Sequence, residues 1–241
     1  MNKYIENLYN TTEYSDNTGG WCPDEDKEKA KTIKKILRVA GIKSEISSII
    51  DIGCGTGGII KNVKNSFNKD IYCEGIDFSV LAIKKAQESD SNQIIFSTKK
   101  LTELDMKFDL VILSHVLEHV MDWDSFLEEL SKVANNYIYI NVPLEVNLIN
   151  TLRGSALTGT YKNYGHVHFF DEDFVLNYLI DSDFEIIAKE YGEEFKVANS
   201  TIRGRFARLP RLILGIFSKR LAARIFGGYS LAILIRANDI R

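Results

Sequence analysis

An α/β architecture built on a parallel sheet is what the sequence predicts, and three observations carry the prediction. Short apolar runs alternate with amphipathic, helix-length patterns over residues 46–142, the signature of strands joined by crossover helices. A glycine cluster, Gly53-Cys54-Gly55-Thr56-Gly57-Gly58, falls where the first of these runs meets the first helix, as a ligand-cradling turn requires. The composition, with 45% hydrophobic, 26% charged and 11% aromatic residues among 241, fits a folded domain with a sizeable core and excludes disorder as the main state.

The elements follow in order. Ala30, Ile33, Ile36 and Leu37 recur three or four apart in a charged stretch, which predicts an amphipathic helix over 24–37, after Cys22-Pro23. Residues 1–27 are expected to form an amino-terminal segment, and 28–241 the domain. With Tyr4, Tyr9, Tyr14 and Trp21 among polar neighbours, that segment reads either as a frayed terminus or as a lid over a ligand. Strands are predicted over 46–52, 71–76, 93–97, 108–114 and 137–142, and helices over 57–67, 79–89 and 123–133. After Pro143 the rhythm changes. A loop over 145–164 leads through Gly165-His166-Val167-His168-Phe169-Phe170 to a helix over 171–180, and two further strands are expected over 184–190 and 229–237.

Charge narrows the function classes. Thirty Lys and Arg against 33 Asp and Glu give a net charge of −3, so there is no overall drive toward nucleic acid, and such a role would need a local patch. The first residues lack an apolar leader core and no apolar run approaches the ~20 residues of a membrane span, so a cytoplasmic protein is expected. Cys22, Cys54 and Cys73 have neither an even count nor CxxC spacing, which fits free thiols. An insert at about 193–228 is the exception to the acidic balance. Arg203, Arg205, Arg208, Arg211, Lys219, Arg220 and Arg224 fall within 201–226 without an acid. It reads either as a peripheral membrane contact or as a helix pair packed on the domain with its arginines in water.

The glycine loop has two readings. Gly53, Gly55 and Gly58 satisfy the dinucleotide pattern G-x-G-x-x-G, whereas Gly53, Gly55 and Gly57 give G-x-G-x-G with Asp51 two residues earlier. An acid before the loop offers nothing to a pyrophosphate but suits a ligand with a cationic amino-acid end, such as S-adenosylmethionine. Asp77, at the carboxyl end of the next apolar run, is placed to accept both hydrogen bonds of a ribose diol. NAD shares that ribose, so Asp77 supports nucleoside binding without choosing the cofactor.

With these residues in place the chain resembles the class I S-adenosylmethionine-dependent methyltransferases, in particular the small-molecule group with ubiquinone-type and sugar methyltransferases. The first motif is matched by Asp51 to Gly57 and the ribose-binding acid by Asp77. The fourth strand and the start of the helix after it are matched by Phe108-Asp109-Leu110-Val111 and Ser114-His115-Val116-Leu117-Glu118-His119-Val120, the end of the fifth strand by Asn141-Val142-Pro143, and the H-x-x-F-F segment by His166 to Phe170. The resemblance implies a Rossmann-like, doubly wound sheet of seven strands, mostly parallel with an antiparallel last strand, and helices on both faces. It implies a cofactor site of Asp51, Gly53, Cys54, Gly55, Thr56, Gly57, Asp77, Phe78, Leu101 and Ser114, holding S-adenosylmethionine and releasing S-adenosylhomocysteine. Where the family usually has an acid near the adenine amine, this chain reads Thr98-Lys99-Lys100-Leu101, so Leu101 and backbone groups are expected to hold the base.

Methyl transfer from a sulfonium leaves a neutral thioether, so the protein mainly aligns the partners and removes the acceptor's proton. No metal is expected. All four histidines, His115, His119, His166 and His168, fall in two segments after strand ends, where such sheets bind ligands. His166, next to Gly165, is the first candidate for the base, His119 the second, and His168 is expected to point to the opposite face from His166. His115 reads as a structural hydrogen-bonder, and Phe169 and Phe170 as core. The expected reaction is methylation of a small-molecule acceptor, with a hydroxyl of a sugar or similar polar metabolite as the expected target. A lipid-soluble or membrane-held acceptor, an NAD(P)-dependent oxidoreductase and a non-catalytic nucleoside-binding module are the alternatives. The variable loops leave the acceptor and the oligomeric state open.

Overall fold

A computed structural model describes residues 8–11, 22–68, 70–90, 93–197 and 202–237, with side chains from 208 onward in the last span. Tyr4, Tyr14, Trp21, Arg203 and Arg205, singled out above, lie outside the described residues or side chains.

Helix α1 spans Pro23–Val39, with Pro at its first turn, Asp24, Glu25 and Asp26 beside the positive end of its dipole, and Ala30, Ile33, Ile36 and Leu37 buried. It therefore starts inside the stretch expected to be the amino-terminal segment, because Pro23 pre-sets the helical φ. Then come β1 (Ser48–Ile52), α2 (Gly58–Lys64), β2 (Tyr72–Ile76), α3 (Val80–Glu88), β3 (Ile95–Ser97), β4 (Phe108–Ser114), α4 (Trp123–Val133) and β5 (Ala134–Pro143). All of these predicted elements lie within a few residues of their expected ends, and β3 is the shortest.

The stretch over 145–164 departs from expectation. Instead of a loop it forms α5 (Leu148–Arg153) and α6 (Ala156–Tyr164), with the Asn147 side chain capping α5 through the Asn150 amide, and Gly154 and Gly165 in positive-φ turns after each. Of the glycines that suggested a loop, Gly154 and Gly165 end helices and Gly159 lies within α6. The remainder is α7 (Glu172–Asp181), β6 (Ile186–Gly192), α8 (Ile202–Phe217), α9 (Lys219–Phe226) and β7 (Ser230–Arg236).

The seven strands form one sheet in the order β3-β2-β1-β4-β5-β7-β6. β1 to β5 pair in parallel, and β7 runs antiparallel to both β5 and β6. Alternate residues feed opposite faces, as strand geometry demands. Leu110 and Ile112 join a core with α1, α2 and α3, while Val111 and Leu113 join a second core with α4 and α7. The strand order reverses between β1 and β4, which opens a crevice beyond their carboxyl ends, and ligands of such sheets bind there.

Candidate active site

The loop after β1 is held open by its own backbone. Gly53 and Cys54 donate their amides to the Ile76 carbonyl at 2.8 and 3.1 Å, pinning the loop to the end of β2. Gly53, Gly55 and Gly57 all have positive φ, a region L side chains rarely adopt. A Cβ on Gly57 would lie 2.5 Å from Cζ of Phe96, and one on Gly58 2.0 Å from Oδ2 of Asp26. The loop is thus wedged between β3 and the start of α1.

Three carboxylates surround it. Asp51 is 1% exposed and its Oδ2 has no hydrogen-bond partner; burial, then the charges of Asp26 and Asp77, hold its pKa well above the usual carboxylate range. Asp77 accepts the Gly55 amide on Oδ2 and the Ser79 amide on Oδ1, both at 2.8 Å. These bonds fix the carboxylate and leave each oxygen a further lone pair. Asp26 was not among the expected site residues; its signal, an acid in the first turn of α1, resembled ordinary helix capping. Phe78 is half exposed beside the loop and Leu101 buried at the head of a short 3-10 turn. Burial pushes the Cys54 thiol well up, so it is a wall of the site and no nucleophile. Thr56 offers Lys61 its carbonyl at 3.3 Å.

A second polar group lies at the ends of β4 and β5. His166 places Nδ1 2.9 Å from Oε2 of Glu145 and Nε2 4.0 Å from Oε1 of Glu118. Burial works to lower its pKa, but the Glu145 hydrogen bond and the two carboxylate charges outweigh that and raise it. Glu118 is fully buried with neither oxygen hydrogen-bonded, and burial pushes its pKa up to about 7. His119 donates Nδ1–H to the Gly165 carbonyl at 3.2 Å, and burial followed by the neighbouring His166 lowers its pKa to about 3, so it is neutral. His115 is a non-glycine residue at φ 60°, with Nδ1 3.4 Å from Glu118 and a buried, unpartnered Nε2. Backbone strain of this kind clusters at functional sites.

His168 faces elsewhere, with its ring against Trp123 at 5.7 Å and Phe170 at 6.3 Å, and Phe170 is core. Glu145, missed from the sequence, occupies the place after β5 that Asp77 occupies after β2, and an acid just past an apolar strand was the available signal. Tyr9 links the two groups: its ring meets Phe78 and His119, each at 5.7 Å, its carbonyl accepts the Ser79 hydroxyl at 2.9 Å, and its hydroxyl donates to the Tyr164 carbonyl at 3.1 Å.

Glu118, His119 and His166 also bring one donor atom each within 4.8 Å of one another. A shell of ligands at about 2.1 Å spaces them roughly 3–3.4 Å apart, so a cation would have to draw the three side chains together.

A profile described as a methyltransferase domain matches residues 25–189. The chain belongs to this methyltransferase-domain family. Among curated relatives it is 32% identical over 117 residues to norajmaline N-methyltransferase of Rauvolfia serpentina, covering 44% of this chain and 39% of that one. It is 30% identical over 117 residues to the chloroplastic tocopherol O-methyltransferase of Arabidopsis thaliana, covering 43% and 33%. The matches therefore span well under half of those relatives' own length. In fold it is similar to magnesium protoporphyrin IX methyltransferase from Synechocystis PCC 6803 with bound S-adenosylhomocysteine, with a TM-score of 0.61, 15% identity and 97% and 98% of the two chains covered. A plantazolicin methyltransferase, in complex with a triazolic desmethyl analogue and S-adenosylhomocysteine, gives 0.58, 17%, 92% and 88%.

The residues of this methyltransferase domain fit such a cofactor. The unpaired Asp51 oxygen sits where a cationic amino-acid end would satisfy it, Asp77 offers fixed acceptors to a diol, and the positive-φ glycines clear the space between. Ser114 and Asn141, in register toward the carboxyl ends of β4 and β5, also carry buried polar atoms without a hydrogen-bond partner, and buried polar groups in folded proteins are otherwise paired.

Proposed function

We propose that this domain transfers a methyl group from S-adenosylmethionine to a hydroxyl of a small polar acceptor, such as a sugar, with His166 removing the acceptor's proton. The observation that carries the assignment of the base is the 2.9 Å contact between His166 Nδ1 and Glu145. An ionised carboxylate can only accept, so Nδ1 carries the proton and Nε2 presents its lone pair. A base held and polarised by a third group is the arrangement that activates hydroxyl nucleophiles in many enzymes.

In the reaction the acceptor oxygen forms a bond to the methyl carbon as the carbon–sulfur bond breaks. The electron pair of that bond stays on sulfur, and the hydroxyl proton passes to His166 Nε2. Asp51 and Asp77 hold the donor at its two ends, and Glu145 and Glu118 stabilise the imidazolium that forms. A raised His166 pKa serves this step, because a general base works best with a pKa near the working pH. The test is release of S-adenosylhomocysteine with a panel of sugars, against the same sugars with their hydroxyls already methylated. Release from the free sugars alone supports the reading, and equal release from both panels defeats it.

A second reading, a lipid-soluble or membrane-held acceptor, is favoured by one observation. Ile216 and Phe217 at the end of α8 are each 82% exposed and Ile213 is 59% exposed, beside the cations of the insert. Sedimentation with vesicles tests it: binding that needs anionic lipid and falls with salt supports the contact, and no sedimentation removes it. Among the described residues no helix is long and apolar enough to cross a membrane.

A further inference from the structure

Helices α8 and α9 carry the insert's cations. On α9, Arg220 and Arg224 meet Asp173, Arg220 also lies 3.2 Å from Glu172, and Lys219 lies 3.4 and 3.6 Å from Glu190 and Glu193. Those cations are matched by carboxylates of the domain and fasten α9 to it. On α8, Arg208 and Arg211 stand one helical turn apart and line an open cleft of about 450 Å³ with Arg153 from the end of α5. That volume suits a small molecule. The same cleft is lined by His115 and Glu145, so it runs from the histidine group to the arginines.

Arg211 is held in place. Its Nε donates to the Gly227 carbonyl at 2.9 Å, its Nη2 to the Phe226 carbonyl at 3.0 Å, and its guanidinium lies 5.9 Å from the centre of the Phe195 ring. Burial, together with the charge of Arg153, works against its protonated form, which places the two guanidiniums in each other's field. The cleft also carries two acids, so three guanidiniums face two carboxylates and the lining keeps a net positive charge. Glu145 accepts from His166, and Glu194 accepts from the Ser230 hydroxyl at 2.6 Å. Positive charge facing a small-molecule cleft selects an anion, and guanidinium forks suit carboxylate and phosphate oxygens in particular.

We infer that the acceptor carries an anionic group, a carboxylate or a phosphate, seated against Arg153, Arg208 and Arg211 while its hydroxyl faces His166. The inference rests on the methyl-transfer reading for the identity of the ligand as acceptor, but the anion site itself can be tested without any turnover. It assigns the arginines of α8 to substrate selection, and it predicts that neutral sugars are poorer acceptors than their acidic or phosphorylated counterparts.

The experiment is calorimetric titration of inorganic phosphate into the full chain at low ionic strength. Saturable one-to-one binding is expected, weakened at least tenfold in the Arg153→Gln, Arg208→Gln double variant and unchanged in Lys84→Gln on the exposed side of α3. Arg211→Lys, which keeps the charge but loses the fork, should weaken it severalfold and guards against a variant that fails to fold. No saturable binding in the wild type, or equal binding in the double variant, overturns the site. Competition by phosphatidylglycerol vesicles and not by phosphatidylcholine vesicles would assign the anion to a lipid headgroup, and absence of competition to a free metabolite; both outcomes keep the site. S-adenosylmethionine binding measured on the same samples separates this result from the methyl-transfer reading: phosphate bound without the cofactor supports the anion site alone.

Discussion

The His166 imidazole is suspended between two carboxylates, with Nδ1 2.9 Å from Glu145 and Nε2 4.0 Å from Glu118. This environment raises the His166 pKa, while burial lowers those of His115 and His119. A positioned base of this kind contributes about 10²–10⁴-fold to a rate. His166→Ala should lower turnover by that order and leave S-adenosylmethionine affinity nearly unchanged, which steady-state kinetics and calorimetry on one preparation can check. The same loss in His168→Ala with none in His166→Ala would reverse the assignment.

Glu145→Gln keeps the shape but removes a charge that favours the imidazolium. The His166 pKa should fall, and because the base acts in its neutral form, the acid limb of the rate–pH profile should move to lower pH. At saturating pH the rate should fall only modestly. A limb that stays in place would mean that another group sets it.

For Asp77→Ala the expected loss in S-adenosylmethionine affinity is about 1.5–3 kcal/mol, the usual contribution of hydrogen bonds to a charged group. The variant also frees the Gly55 and Ser79 amides that the carboxylate holds at 2.8 Å, so the loop should lose protection from hydrogen exchange. Unchanged affinity would remove Asp77 from the site.

Asp51 gives the cofactor site a pH dependence. Its carboxyl is held above the usual range mainly by burial, and a protonated carboxyl cannot pair with an ammonium. Cofactor affinity should therefore fall with decreasing pH, starting at a higher pH than an ordinary carboxylate would give. Asp51→Asn should flatten that dependence. A wild-type affinity constant down to pH 4 would contradict the pairing.

The parts of the molecule governed by local periodicity were legible in the sequence. β4, α4 and the α1 face follow from apolar spacing, and the glycine loop from its need for positive φ at three positions. The antiparallel last strand followed from family resemblance rather than from its own residues, since β7 is apolar from Leu231 to Ile235 and carries no mark of direction. Residues 148–164 were misread because Gly154, Gly159 and Gly165 look alike in a sequence, although Gly154 and Gly165 end helices and Gly159 lies within α6. Glu145 and Tyr9 were invisible as partners for the same reason: contacts across 21 residues to His166 and 110 to His119 are set by where strands end, and no spacing rule reports them.

Gly55 and Gly57 should respond differently to a side chain. A Cβ on Gly57 meets the buried Phe96 ring, so Gly57→Val should lower the melting temperature as well as binding. Gly55→Val, at φ 53° in the loop, should abolish cofactor binding in a protein that still folds cooperatively. Thermal unfolding of both variants distinguishes the two cases.

The central claim, that the crevice between β1 and β4 holds S-adenosylmethionine, is tested most directly by calorimetric titration of that compound into wild type and Asp77→Ala, with NAD as the comparison. One-to-one binding to the wild type, at least tenfold weaker in the variant and absent for NAD, is the result expected. Heat of binding from NAD but not from S-adenosylmethionine, or affinity for S-adenosylmethionine that is the same in both proteins, would contradict it.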